Sequence, residues 1–306
     1  MTFDANSLLQ AAQQVAGGQQ YPKGALYLVA TPIGNLADIT LRAVQALSLV
    51  DVVACEDTRV TGSFLRHLGL DKKLVALHQH NEVSAAQALI RQLQDGARIA
   101  YVSDAGTPAV SDPGAHLVQA AQAAGVPVVP LPGASAVIAA VSVAGDTLAQ
   151  GFRFLGFLPA KGGARTAALR EALTQTGSVV LFEAPHRIEA LARELVEVVP
   201  HGRITLCREL TKQFEDIATL EVAALPGWLA ANPHRQRGEF VLVLHAQPAS
   251  EERASLTPAQ TALMQTLVQH VPVKQAASLM ADVTGLPRKA LYEMALTWRQ
   301  AHDDTD

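Results

Sequence analysis

Cysteine is nearly missing from the 306 residues: Cys55 and Cys207 are the only two. They can form neither a disulfide framework nor a thiolate zinc site, and a reducing, cytoplasmic compartment is expected. Long apolar runs are missing too. The longest are strand-sized, short of the roughly 20 residues that a bilayer span requires, so no membrane association is expected. Residues 1–23 lack a basic n-region and an apolar h-region, which excludes a signal peptide and reads as a flexible leader. Two phosphate-binding signatures are also absent. No G-x-G-x-x-G follows a strand and no Walker loop occurs, which argues against a ligand carrying a pyrophosphate. His78 and His80 share a face of an extended segment, but no third or fourth ligand accompanies them, and no metal is expected.

What the chain does have is alternation. Hydrophobic residues make up 49% and charged residues 17%, as in a globular α/β protein, and the length exceeds one ordinary core. Strand-like runs at 25–30, 51–55, 73–77, 98–102 and 126–131 alternate with helical patterns at 40–50, 60–68, 82–94 and 116–124. This is the signature of βαβ units and a mostly parallel sheet. Residues 145–151 read as a hinge. A second set of strands follows at 153–157, 179–182, 204–208, 215–219 and 240–245, partly antiparallel because the later ones lie close together. A polar linker at 247–255 leads to three helical patterns at 257–269, 273–283 and 287–300, with a helix-turn-helix-like corner at Thr284-Gly285-Leu286-Pro287. The expected plan is a leader (1–23), two α/β domains (24–145 and 146–247) and a helical module (255–306).

Three loops at strand ends carry the ligand signal. The loop Ser103-Asp104-Ala105-Gly106-Thr107-Pro108-Ala109-Val110-Ser111-Asp112-Pro113-Gly114 has small, kinked, polar character that suits close backbone approach to a small molecule. Ligands in open α/β sheets lie outside the carboxyl ends of strands. Ala30-Thr31-Pro32-Ile33-Gly34-Asn35-Leu36-Ala37-Asp38 and Pro132-Gly133-Ala134-Ser135 are its companions, with Ser135 placed to cap a helix.

These blocks, together with Ala54-Cys55-Glu56-Asp57-Thr58-Arg59, His80-Asn81-Glu82, Gly156-Phe157-Leu158-Pro159-Ala160-Lys161, Glu183-Ala184-Pro185-His186-Arg187 and Arg208-Glu209-Leu210-Thr211-Lys212, resemble in order the ribosomal RNA small subunit methyltransferase I family. The resemblance spans roughly residues 25–245 and implies the tetrapyrrole-methylase fold, with S-adenosyl-L-methionine in a cleft between two α/β domains, usually of a homodimer. It also implies 2′-O-methylation of a cytidine in the decoding region of 16S rRNA, free or in the small ribosomal subunit. Ala160 departs from the basic residue often found there.

By the same resemblance, Gly106-Thr107-Pro108 stands where tetrapyrrole methylases commonly show Gly-Asp-Pro. Thr107 replaces the acid, which leaves Asp104 or backbone carbonyls for the methionine amino group. Pro32, Val110, Ser135, Ala136, Leu158, Leu210, Gly238 and Glu239 match other cofactor-lining positions. Each also has a plain structural reading: Val110 and Leu158 as core, Ser135 as a cap, Gly238 as a turn.

A ribose hydroxyl is scarcely ionised at neutral pH, so a base or cation beside it helps. Lys161 and Glu183, after strand ends of the second domain, are the candidates; a cross-loop salt bridge is the competing reading. With a formal net charge of −4, RNA would have to meet a local basic face. Lys161, Arg165 and Arg170, then Arg203, Arg208 and Lys212, then Arg235 and Arg237 are the candidates, with Arg288 and Lys289 in the helical tail. The rival functions are a tetrapyrrole methyltransferase and a non-catalytic ribosome-assembly factor.

Overall fold

The structure, a computed structural model, describes residues 4–78, 82–111, 113–160, 162–174, 177–247, 256 and 258–303. By contacts, the chain divides into two units, Met1–Ala246 and Gln247–Asp306.

The first unit opens with a correction. The expected flexible leader is a helix, α1 (Ala5–Ala16), whose first amides are capped by Asp4, with Ala12 and Ala16 buried. Its Ala and Gln run favours helix. Leu8, Leu9 and Ala12 fall on one face and pack into the core, where Gln13 also accepts a hydrogen bond from Gln45 at 2.8 Å.

Five parallel strands follow: β1 (Leu26–Val29), β2 (Val52–Cys55), β3 (Lys73–Ala76), β4 (Ile99–Val102) and β5 (Val128–Leu131). Their order is β3-β2-β4-β1-β5. The helices α2 (Leu41–Leu49), α3 (Thr58–His67), α4 (Glu82–Gln94) and α5 (Ala115–Ala123) connect them. Separate apolar clusters fill the two faces of this sheet, which is why its strands read as continuous apolar runs.

A second sheet, ordered β6-β7-β10-β8-β9, comprises β6 (Phe152–Phe157), β7 (Ser178–Glu183), β8 (Arg203–Arg208), β9 (Asp216–Glu221) and β10 (Phe240–Leu244). Only β6 and β7 pair in parallel; β10 lies antiparallel between β7 and β8. On one face lie α7 (Gly163–Leu173), α8 (Ile188–Val198) and α9 (Leu225–Ala230). The opposite face is covered by α6 (Ala136–Ala144), which Ser135 caps at Ile138 N as expected. Thus α6 follows the last strand of the first sheet yet packs on the second.

The second unit holds α10 (Pro258–His270), α11 (Val273–Thr284) and α12 (Arg288–Asp303) around Met264, Ala276, Met280 and Leu291. Gly285 ends α11 with φ +72°, a left-handed turn that glycine makes without strain.

Candidate functional site

Strands β4, β1 and β5 are neighbours, so the three small-residue loops emerge side by side. Thr31 and Gly106 exchange backbone hydrogen bonds of 2.9 and 3.0 Å, which ties the loop after β1 to the loop after β4. Gly106 sits at φ +81°, a conformation that costs other L-residues about 1 kcal/mol or more. The Thr107 hydroxyl donates to the Ala134 carbonyl at 3.1 Å and joins the loop after β5. At the far end, the buried Glu82 carboxylate accepts from the amides of Gly114 and His116 at 2.9 and 3.0 Å. Gly114, at φ +122°, leaves no space for a Cβ, which would stand 2.2 Å from the Tyr101 ring.

Opposite these loops stand the ends of β6 and β7. Phe154 and Phe182 meet edge to face at 4.9 Å, and Phe157 meets Phe182 at 5.7 Å. A bulge at Gly156 shifts the register of β6 there. Between the two walls lies a cavity of about 440 Å³.

Asp104, Gly106, Thr107, Val110, Ser135, Ala136, Glu183, Leu210 and Glu239 all line this cavity. The structure thus brings together most of the positions singled out in the sequence. Others lie elsewhere. Leu158 is buried in the core of the second sheet, its plain structural reading. Pro108 is buried and absent from the wall. Pro32 lines a smaller cavity of about 190 Å³ that shares Asp104 with the first. Gly238 acts indirectly: at φ +93°, a Cβ there would approach Glu209 Cγ to 2.5 Å. Its bareness admits the clamp in which Lys212 Nζ meets Glu209 and Glu239, each at 2.8 Å. Lys161 lies outside the described residues, as do His80 and Asn81. The sequence reading missed Ile33 and the three phenylalanines, which looked like ordinary strand residues; their clustering at one end of β6 and β7 was the available signal.

Glu183 is 2% exposed. Its Oε1 accepts from the Ala184 amide at 2.8 Å and pairs with Arg187 Nε at 2.9 Å. Oε2 is buried with no hydrogen-bond partner among the described residues. Arg187 also donates to the Leu158 carbonyl at 2.7 Å. A buried acceptor left without a partner is a costly arrangement.

Burial pushes the Asp104 carboxyl up, a hydrogen bond from the Asp57 amide opposes this, and the Asp57 charge adds to it. Asp57 itself is held at about 2, chiefly by the hydrogen bond from Arg59. The two pair on the surface at 2.5 Å. Burial disfavours charge on Lys212, yet Glu209 and Glu239 together raise its proton affinity. Backbone strain collects here as well, with Glu209 at φ +52° and Thr211 at φ +65° on either side of Leu210.

The expected basic faces do not form as drawn. Arg165 is buried against Glu194, and Arg208 is turned inward to the Phe214 and Arg237 carbonyls. Arg235 lies 4.0 Å over the Trp228 ring and 3.6 Å from Asp216. Arg170, Arg203 and Arg237 remain exposed.

The sequence profile of the Tetrapyrrole (Corrin/Porphyrin) Methylases matches residues 25–226, and that of the RsmI C-terminal HTH domain matches residues 254–299. Ribosomal RNA small subunit methyltransferase I of Neisseria meningitidis serogroup A is 45% identical over 293 residues, covering 95% of this chain and 98% of its own. The protein of the same name from Escherichia coli O157:H7 is 44% identical over 276 residues, covering 90% and 95%. Among solved structures, uroporphyrin-III C-methyl transferase from Thermus thermophilus complexed with S-adenyl homocysteine has a TM-score of 0.51 at 20% identity, covering 72% of this chain and 97% of its own. Diphthine synthase has a TM-score of 0.55 at 16% identity, covering 72% and 90%. At such identities the structural likeness speaks to the fold alone.

Proposed function

Because the chain belongs to the ribosomal RNA small subunit methyltransferase I family of tetrapyrrole methylases, we propose that it methylates the 2′-hydroxyl of a cytidine in the decoding region of 16S rRNA. It is an S-adenosylmethionine-dependent methyltransferase with an RNA substrate. The observation that carries the reading is the cavity itself. Its volume, about 440 Å³, lies in the range for cofactor sites, which are mostly apolar with a few placed polar groups.

The wall suits this cofactor. Phenylalanines and Leu210 offer apolar area for an adenosine, while Asp104, Ser135 and Glu239 supply acceptors for amino and hydroxyl groups. Gly106 lets the backbone come close, since a Cβ there would point toward Ile33 and the Ala134 carbonyl. Thr107 holds two loops together through its hydroxyl, so the methionine amino group falls to Asp104 and backbone carbonyls. When bound, the cofactor supplies a sulfonium methyl as electrophile. The chain then has to position the ribose oxygen and exclude water. Glu183 Oε2, buried and unpartnered among the described residues, accepts the hydroxyl proton or orients the ribose. Lys161 steadies the developing alkoxide or holds a phosphate.

The two sheets are read as the two domains that flank this cleft, in a cytoplasmic homodimer; no described helix is long and apolar enough to cross a membrane. The test is methyl transfer from S-adenosylmethionine to undermethylated small subunits and to free 16S rRNA. The expected product is a nuclease-resistant dinucleotide containing 2′-O-methylcytidine. No transfer to either substrate by enzyme that binds the cofactor would overturn the proposal.

A further inference from the structure

The smaller cavity has no role in the reading so far. Its volume is about 190 Å³, room for about six waters and so for one flat heterocycle rather than a second cofactor. Val60, Thr61 and Phe64 line it from α3, where residues three and four apart share a face. Pro32 and Leu36 line it from the loop after β1, and Ser103 and Asp104 from the loop after β4.

Asp104 is the joint between the two cavities, because it lines both. One of its oxygens, Oδ1, accepts from the Asp57 amide at 3.3 Å. A carboxylate has about four acceptor positions, so capacity remains on each side. The hydroxyls of Thr31 and Ser103 are already committed, to the Ser103 carbonyl and to the Ala105 and Gly106 carbonyls. The Thr61 hydroxyl is engaged with Cys55, so among the lining side chains the polar group left for a ligand is the Asp104 carboxylate, an acceptor. Beside Val60 stands Arg59, whose side chain is 89% exposed and whose single partner among the described residues is the surface carboxylate of Asp57.

We propose that this cavity receives the base of the target nucleotide and that Arg59 takes a phosphate flanking it. The assignment rests on the rRNA methyltransferase reading above. Methylation at a 2′-oxygen requires the ribose to reach the larger cavity, and its own base must then lie within one sugar's reach. Apolar surfaces from Val60, Phe64, Leu36 and Pro32 suit the faces of a ring. A carboxylate at the edge accepts the exocyclic amino group of cytosine, whereas uracil presents a carbonyl oxygen there and meets repulsion. The geometry thus assigns to Asp104 the choice of cytidine over uridine. Arg59 exchanges Asp57 for the phosphate, a swap between like-charged partners on an exposed side chain.

Val60→Trp fills the cavity from a residue that is 44% exposed and so is tolerated by the core. The expected result is a fall of about tenfold or more in kcat/KM on undermethylated small subunits, with the S-adenosylmethionine Kd from calorimetry within about twofold of wild type. Arg59→Gln should raise KM for the subunit and flatten its salt dependence, again with cofactor affinity unchanged. Asp104→Asn, whose amide can donate to uracil, should narrow the preference for subunits carrying cytidine over uridine at the target. If Val60→Trp does not fold, Leu36→Trp blocks the same cavity from an exposed loop. Unchanged kcat/KM in a filled variant, or a loss confined to cofactor binding, would overturn the nucleotide assignment. Wild-type transfer to the same subunits would leave the family reading standing in that case, while its absence would remove both.

Discussion

The two oxygens of Glu183 have different surroundings. Its Oε1 is held by the Ala184 amide and Arg187, and its Oε2 is buried without a hydrogen-bond partner among the described residues. The ion pair fixes the carboxylate in place, and under the proposed function the second oxygen is the one that serves the ribose. Glu183→Gln is therefore expected to lower kcat by about a hundredfold, within the usual range for loss of an acid–base group. Cofactor affinity should stay near wild type. Arg187→Gln removes the positioning partner and should reduce kcat less while lowering Tm more. Steady-state kinetics beside thermal unfolding separates the two; an unaltered kcat in Glu183→Gln would leave the pair purely structural.

The loop after β4 is built as a strap with three anchors. Its start is bridged to Thr31, its middle is bonded to Ala134, and its end is fixed by Glu82 at the head of α4. Both of the last two amides bond to the same oxygen of Glu82. Glu82→Ala leaves the buried Gly114 amide and the part-buried His116 amide without this acceptor, at a cost of about 1–3 kcal/mol. A lower Tm and weaker S-adenosylmethionine binding by calorimetry are expected. Glu82→Gln keeps an amide oxygen in the same place and should recover most of both; a Gln variant as impaired as the Ala variant would mean that charge, not the acceptor, holds the strap.

Across the first unit, the two sheets are joined through α6 and through Asp146. That carboxylate accepts from the amides of Leu148, Ala149 and Ala246 and from the Ser178 hydroxyl, so it ties the segment after α6 to both β7 and the end of β10. Nearby His245 is 6% exposed and bonds Thr205 through Nε2 at 2.8 Å. Burial, aided by Arg203 and opposed by Asp146, lowers its proton affinity below the usual 6.5. Above that pH the imidazole is neutral folded or unfolded, and its contribution to stability is complete. Below it the unfolded chain takes up a proton that the folded chain resists, so stability falls as pH drops through the folded pKa. The depressed Asp146 carboxyl acts in a separate, more acidic window, below its unfolded value of 3.8. Thermal unfolding between pH 7.5 and pH 5, values chosen to bracket the histidine range, should show a falling Tm, and His245→Gln should flatten that slope. An identical slope in the variant would assign the effect to other groups.

Much of this architecture could be read along the chain because it depends on neighbours a few residues apart. The alternation of apolar runs with helical spacing placed the strands, and Ser135 capped α6 as its position implied. Gly106 and Gly285 take the positive φ that their turns demand. The amphipathic face of α1 was equally local but hidden under a polar composition. Which residues meet across long separations was decided only when the sheets packed. Arg165 found Glu194 and left the surface; Lys212 settled between Glu209 and Glu239; and Leu158 turned into the core. The chain carries the loop of residues 103–114 as a recognisable run of small and kinked residues, but the larger and smaller cavities that meet at Asp104 exist only in three dimensions. There the ends of β1, β4 and β5 converge, and one residue, Asp104, lines two spaces.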